Sequence, residues 1–309
     1  MNRFNVLRSL AVVFMVCVSS NASTAETNKV FATPEGAVSA LIAATTSKDK
    51  AALYTLFGPA GAELENPDRV QSTNELNAFT AAYRETNRLA RLSETGYVLE
   101  VGTDLWPFPV PIVKKDDRWF FDTESGKDEL LSRRIGQNEL FTLEIIRAYV
   151  DAQRQYASKD RDGDAVLEYA QRIASSDGKA DGLYWPIELN GQESPLGPMV
   201  GDAQAEGYFA DKPDTEAKPQ PFHGYLFKIL ARQGNKAPGG SFDYIINDNM
   251  IVGFALVAWP AEYRQSGVMT FIVNQQGRVY QRDLGEKTAE IVNGMTTYDP
   301  ELGWELSPD

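Results

Sequence analysis

The spacing of apolar residues changes period along this chain, and each change marks a different element. From Thr33 to Phe57, "TPEGAVSALIAATTSKDKAALYTLF" puts Ala37, Leu41 and Ala44, then Ala52, Leu53 and Leu56, on one face each of two short helices. The break falls near Ser47-Lys48-Asp49, with Thr33 placed as N-cap and Pro34 at the first helical position, where a missing amide does no harm. After Asn74, "NELNAFTAAYRETNRLARL" keeps the helical period through Leu76, Phe79, Tyr83 and Leu89 and predicts a third helix. The next stretch, "GYVLEVGTDLWPFPVPIVKKDDRWFFDTESG", is β-branched and aromatic, so it reads as strands, with Lys115-Asp116-Asp117 as a turn between two of them. Pro107, Pro109 and Pro111 alternate, so their missing amides should all point away from a partner strand, as on a sheet edge.

Beyond the basic stretch "SRRIGQNEL" (132–140), helical spacing returns in Leu140, Leu143, Ile146, Tyr149, Val150, Gln153 and Tyr156, and predicts a long amphipathic helix from about Asn138. Ala165 to Ser175 reads as a shorter second helix, and Ser176 to Phe222 as a loop-rich region with little periodicity. The last third is strand-like in "HGYLFKILARQG", "FDYII", "GFALVAWPAEY" and "GVMTFIVNQQGRVYQRDLG". Gln275-Gln276-Gly277 supplies a hairpin turn there, and Asn235 to Gly240 a looser connection.

These elements predict an α+β fold in two domains, split near residue 135. The expected N-terminal unit, residues 26–135, has helices followed by a small antiparallel sheet, an order similar to that of NTF2-like or cystatin-like folds. The expected C-terminal unit, residues 136–309, packs a long helix on an antiparallel sheet and faintly resembles the globular heads of pilin-like proteins.

Composition adds a compartment. Arg3 and Arg8, an apolar run from Leu10 to Val18 and small residues ending at Ala25 make a secretory signal (1–25), cleaved after Ala25, so the expected location is the periplasm or outside the cell. No later apolar run approaches membrane-spanning length, so no span is expected after cleavage. The single cysteine, Cys17, lies inside that signal, which leaves no thiol for disulfides, thiolate catalysis or cysteine metal sites. A net charge of −13 opposes binding to phosphate backbones or anionic lipid, so nucleic acid is not an expected partner.

His223 is the only histidine, which excludes histidine zinc clusters and Ser-His-Asp or Cys-His catalysis within one chain except through that one ring. Asp160, Asp162 and Asp164 alternate in "SKDRDGDAVLEYAQRI" as the first ligands of a calcium loop do. Counted from Asp160, though, Gly163, Ala165 and Gln171 fall where such a loop needs other residues. Two readings stay open: a calcium site completed by Glu168, or a turn in which Asp164 caps the next helix. Trp185, Trp259 and Tyr263, with His223, are the candidate ligand surface, against the plainer reading that the aromatics fill cores.

Several of these stretches in one order, from "FPVPIVKKDDRWFFDTESGKDELLSRRIGQNEL" through "DGLYWP", "SPLGP" and "HGYLFKI" to "GFALVAWPAEYRQSGVMTFIVNQQGRVYQRDLG", resemble the bacterial family DUF2950 across nearly the whole mature chain. The resemblance implies an exported bacterial protein and supplies no catalytic residues. The resulting expectation is a non-enzymatic binding or assembly module of the cell envelope with a protein or glycan partner. The alternative is an envelope glycan hydrolase using an Asp/Glu pair, with calcium holding the Asp160 loop.

Overall fold

In the computed structural model, residues 28–189, 191–208 and 220–308 are described, so the expected signal segment and Cys17 lie outside the described residues. Helix α1 (Pro34–Ser47) opens as its sequence dictates: Thr33 Oγ1 accepts from the Gly36 amide at 3.1 Å, and Pro34 starts the first turn. It ends at Lys48 in the left-handed conformation, and Asp49 caps α2 (Lys50–Phe57) through the Ala52 amide.

Helix α3 runs from Arg69 to Glu85, earlier at both ends than its apolar spacing suggests. Asp68 starts it by accepting from the Val70 and Gln71 amides. Thr86 stops it in an extended conformation, and the Asn87–Ser93 segment becomes strand β1, with Leu89 paired to Leu99 of β2 (Gly96–Val101). Cross-strand pairing satisfies this segment's backbone, which outweighs its helical spacing.

Strands β3 (Trp106–Pro107), β4 (Ile112–Lys115) and β5 (Arg118–Phe121) complete an antiparallel sheet ordered β1-β2-β4-β5, with β3 also on β2. The β4–β5 turn is at Asp116 and Asp117, both at positive φ, as a two-residue hairpin turn requires. Pro107 lies in β3, an edge strand whose only partner is β2, whereas Pro109 and Pro111 lie outside the strands. Together they bend the chain from β3 into β4, which sits inside the sheet between β2 and β5. The Phe108 amide, between two of them, donates to Leu99 at 2.7 Å.

Helix α4 (Thr123–Tyr156) is a single 34-residue helix capped by Asp122. It therefore begins well before Asn138 and passes unbroken through residue 135. Its first turns lie so close to the proline bend that a Cβ on Gly126 would stand 2.6 Å from Val110 Cα. Leu130 packs against a first hydrophobic core built from α1, α2 and the N-terminal sheet. From Leu143 onward the helix belongs to a second core. Leu140 is 68% exposed, because the inward stripe in this part of α4 is polar: Arg134, Asn138 and Thr142, spaced by one turn.

The second core lies under the antiparallel sheet β15-β13-β12-β11-β6. Its strands are β6 (Tyr225–Leu230), β11 (Ala255–Pro260), β12 (Met269–Asn274), β13 (Tyr280–Asp283) and β15 (Glu305–Leu306). Smaller pairings add β7 (Arg232–Gln233), β8 (Phe242–Asp243) and β14 (Thr297–Tyr298), and a ribbon of β9 (Ile245–Ile246) with β10 (Asn249–Met250). Every residue of β11 is buried, since α4 and α6 (Thr288–Gly294) both pack on it, which accounts for its unbroken apolar run. The hairpin turn at Gln275–Gly277 is present, with Gly277 at positive φ donating to Asn274.

Helix α5 (Gly197–Glu206) is the one α-helix among the described residues of the 176–222 region. The helix expected over Ala165 to Ser175 is absent; this segment is irregular, with Tyr169 bridged to Met250 and Ala174 to Tyr184. The reason is Gln153, fully buried on α4, whose amide donates to the Ala170 carbonyl and accepts from the Ala170 amide, both at 2.8 Å. That pair of bonds replaces a sheet neighbour and holds the backbone inside the core, where an unpaired amide would be costly.

Candidate functional site

Between the two cores the chain packs polar groups rather than apolar ones. Asp68 is 2% exposed, yet its carboxylate has four donors. Oδ1 accepts from the Val70 and Gln71 amides at 3.0 Å, and Oδ2 from the Tyr208 hydroxyl at 2.7 Å and the Gly224 amide at 3.1 Å. The first two bonds cap α3, whose N-terminal dipole favours negative charge there. The other two tie α3 to the end of α5 and to the start of β6. A second chain of bonds runs beside it: Asn66 donates to Gln71 Oε1 at 3.0 Å, Gln71 Nε2 to Asn138 Oδ1 at 2.6 Å, and Asn138 Nδ2 to the Ser266 carbonyl at 2.8 Å.

These bonds floor a cavity of about 430 Å³ lined by Gln71, Asn74, Glu75, Ala78, Gln137, Glu206 and His223. Its walls come from α3, α4, the C-terminal end of α5 and the turn before β6. Asn74 Nδ2 donates to the Glu206 carbonyl at 3.0 Å and joins two of these walls. Asn66 faces Glu75 from below, its amide 3.2 and 3.3 Å from the two carboxylate oxygens. Desolvation by the surrounding protein pushes the Glu75 pKa up, and Arg134 and the Asn66 bond pull it back. Glu75 remains open to solvent through the cavity mouth, which tempers the shift.

His223 adopts a left-handed conformation, φ +48°, uncommon for a residue with a side chain, immediately before Gly224 at φ +76°. Its ring is held by Phe141 on α4, centroids 3.8 Å apart, and by Tyr208 and Phe222. The ring Nε2 is buried and lies 2.9 Å from Glu206 Oε2, near enough for a charge contact but without the alignment of a hydrogen bond. Burial holds the imidazole pKa below its usual value, against the pull of Glu206 and Asp68. Burial and the Asp68 bond raise the Tyr208 phenol, so it stays a donor. A neutral ring beside a carboxylate, in a cavity with a second carboxylate and three side-chain amides, is an arrangement suited to recognising a polar ligand.

The residues singled out from sequence are scattered by the fold. Trp185 is 1% exposed and Trp259 7%, both in the second core, while Tyr263 is half-buried and donates to Asp283. None of these three lines the cavity; only His223 does. Asp160, Asp162 and Asp164 are exposed and bring a carboxylate oxygen each within 4.8 Å of one another. Their oxygens also serve the loop itself: Asp160 accepts from Gly163 and Ala165, and Asp164 from Val166 and the Asn249 side chain. Glu168 lies outside that group and accepts from the Met250 amide at 3.2 Å. Glu75, Glu206 and Asp68 were not singled out from sequence. One signal was present: Asn66-Pro67-Asp68 is a turn followed by a helix cap, which would have started α3 at Arg69 and turned Glu75 to the same side as Gln71.

A family comparison matches residues 28–306 to the family described as "Protein of unknown function (DUF2950)". The chain belongs to the DUF2950 family. The match spans both cores and every element that lines the cavity. No curated protein and no solved structure matches the chain. Among the described residues, no helix is long and apolar enough to cross a membrane.

Proposed function

We propose that this DUF2950 protein is a non-enzymatic binding module of the bacterial cell envelope, exported by its N-terminal segment, and that the cavity between its two cores is where it binds. The observation that carries this is the convergence of four remote chain segments on one open cavity, with a strained His223 held against Glu206. Backbone strain at a non-glycine residue persists only where its surroundings over-determine it, and such residues cluster at ligand sites. We also carry forward a division into two units, each with its own core, α4 serving both.

Glycan hydrolysis would be favoured by two carboxylates facing one another across a cleft lined by Trp185 or Trp259. Both rings are in the core instead, so binding is the reading carried forward. To test it, Ala78, exposed on α3, is replaced by Trp to fill the cavity. Envelope extract passed over the immobilised mature chain should yield a protein or glycan that Ala78→Trp fails to retain. Equal retention by both proteins, or none by either, would remove the cavity as the binding site.

A further inference from the structure

The two large sheets differ in what covers them. In the C-terminal sheet, α4 and α6 both pack on β11, and none of its residues is exposed. The N-terminal sheet is covered on one face: helices α1, α2 and α3 share a core with Leu99 and Val101 of β2, Ile112 of β4 and Phe121 of β5. Side chains alternate along a strand, so the residues between these point the other way.

Antiparallel register then fixes what lies on that outer face. Ala90 is opposite Val98, Gly96 opposite Val113, and Val113 opposite Phe120. Leu92, 64% exposed at the β1 bulge, joins them, because a Cβ on Gly96 would stand 3.8 Å from Leu92 Cβ. Neither hydrophobic core includes Ala90, Leu92, Val98, Val113 or Phe120. A sheet face left to water ordinarily carries polar residues, whereas this one is apolar across four strands with charges at its ends, the pattern of an interaction surface.

The charges at those ends decide what fits. At one end Arg88 of β1 is paired with Glu100 of β2. At the other, Lys115 and Arg118 are opposite one another beside the β4–β5 turn, both exposed, while the ion pair of that turn joins Lys114 to Asp117 instead. A twofold axis running across the strands lays two such faces together with their apolar rows in the middle, and brings Glu100 of each copy to Lys115 and Arg118 of the other. The net charge of −13 opposes association through most of the surface, but the outward charges of this face, Arg88, Lys115 and Arg118 against Glu100, do not add to that repulsion.

We propose that the outer face of the N-terminal sheet is a self-association surface, packed against the same face of a second copy, with Glu100 of each over Lys115 and Arg118 of the other. Strands about 4.8 Å apart, rising about 3.3 Å per residue, give four strands of this length a face of roughly 400 Å² per copy. That is the small end of specific interfaces, so the dimer is weak and reversible.

The test is sedimentation velocity of the mature chain at neutral pH and physiological salt, from about 1 to 300 µM. A dimer should appear as concentration rises. Val98→Glu, in the middle of the face, should weaken it about tenfold or more while a thermal unfolding curve shows the chain still folded. Should that variant fail to fold, charge reversal at the ends carries the test. Glu100→Lys sets like charges against Lys115 and Arg118 of the second copy, and Lys115→Glu with Arg118→Glu sets like charges against Glu100. Each protein alone should dimerise about tenfold more weakly than wild type, and an equimolar mixture of the two should recover the dimer, since both ends of the mixed pair are complementary. A wild-type chain that stays monomeric to the highest concentration overturns the proposal and leaves the face to another occupant. A dimer that a folded Val98→Glu leaves intact, charge variants that associate as wild type does, or a mixture no stronger than its components overturns it as well.

Discussion

The Asp160–Asp164 loop and the cavity at Glu75, Glu206 and His223 hold similar chemistry in opposite ways. In the loop, three carboxylates come from five consecutive residues, and Asp160 and Asp164 accept from backbone amides no more than five residues away, with Asn249 the one remote donor, to Asp164. In the cavity, each group comes from a different element, and its partners are as far apart in sequence as Asp68 and Gly224. The loop shapes its own backbone, as short polar side chains in turns commonly do. The cavity is shaped by the fold and keeps groups turned toward solvent. A conspicuous spacing of acids is thus weaker evidence of function than the meeting of inconspicuous ones.

The comparison breaks most visibly at Asp68. Asp68→Ala leaves the Tyr208 hydroxyl and the Gly224 amide without their acceptor inside the protein and uncaps α3, so a loss of about 3–4 kcal/mol is expected in urea unfolding. Asp160→Ala, fully exposed, should move the same midpoint far less. A comparable loss from both would mean that the loop is as integral to the fold as the buried latch.

Two glycines sharpen the same contrast. A Cβ on Gly224 would run into the Asn138 side chain and stand 3.0 Å from Ser266 Cβ, at φ +76°. Gly163, at φ +85°, has nothing within 4 Å. Gly224→Ala should therefore cost about 2–3 kcal/mol, overpacking added to backbone strain, and Gly163→Ala only the strain, about 1 kcal/mol. Equal losses in thermal or urea unfolding would show that the approach of Gly224 to α4 is not tight.

Titration separates the regions by pH. His223 is held below 6.5 in the fold, so its neutral ring contributes stability that is present above pH 6.5 and lost as pH falls through the folded value. It is faced by Glu206 of α5, Asp68 at the start of α3 and the Tyr208 phenol, with Glu75 sharing the cavity. Glu75 has the opposite sign: raised above 4.5, it contributes stability below that value that is lost as pH rises through the folded pKa. The difference in melting temperature between wild type and His223→Gln isolates the ring and should narrow steadily from pH 7 to pH 5. Backbone amides hold Asp160 below 3.8, so the corresponding difference for Asp160→Asn should stay constant above about pH 4 and narrow only below it. A flat difference curve for His223→Gln would refute its buried, neutral state.

Smallest is the response to calcium. Because the loop carboxylates already accept from the loop's own amides, millimolar calcium should raise the melting temperature by no more than about 1 °C over EDTA. A larger, calcium-specific rise that disappears in Asp162→Ala would make the loop a metal site and move the functional search there.

How far the fold could be read ahead depended on where each segment finds its partners. Helices α1 and α2, the turn at Asp116-Asp117 and the hairpin turn at Gln275–Gly277 were legible because caps, turn residues and period all act within a few positions. The strand at Asn87–Ser93 misled because Leu89 kept helical spacing while its backbone partner was Leu99. The segment after Ala165 misled because the side chain that fixes it, Gln153, belongs to another element. Of the site, only His223 was visible, as the single histidine beside a glycine.

By itself the sequence determined the class of fold, the ends of its short helices, the absence of a thiol after Cys17 and an acidic surface, since each follows from local geometry or composition. Tertiary structure alone decided that α4 serves two cores, that its inner stripe at Arg134, Asn138 and Thr142 is polar, and that Glu75, Glu206 and His223 share a cavity. Such outcomes depend on which remote groups meet after burial, and burial then fixes how strongly they interact.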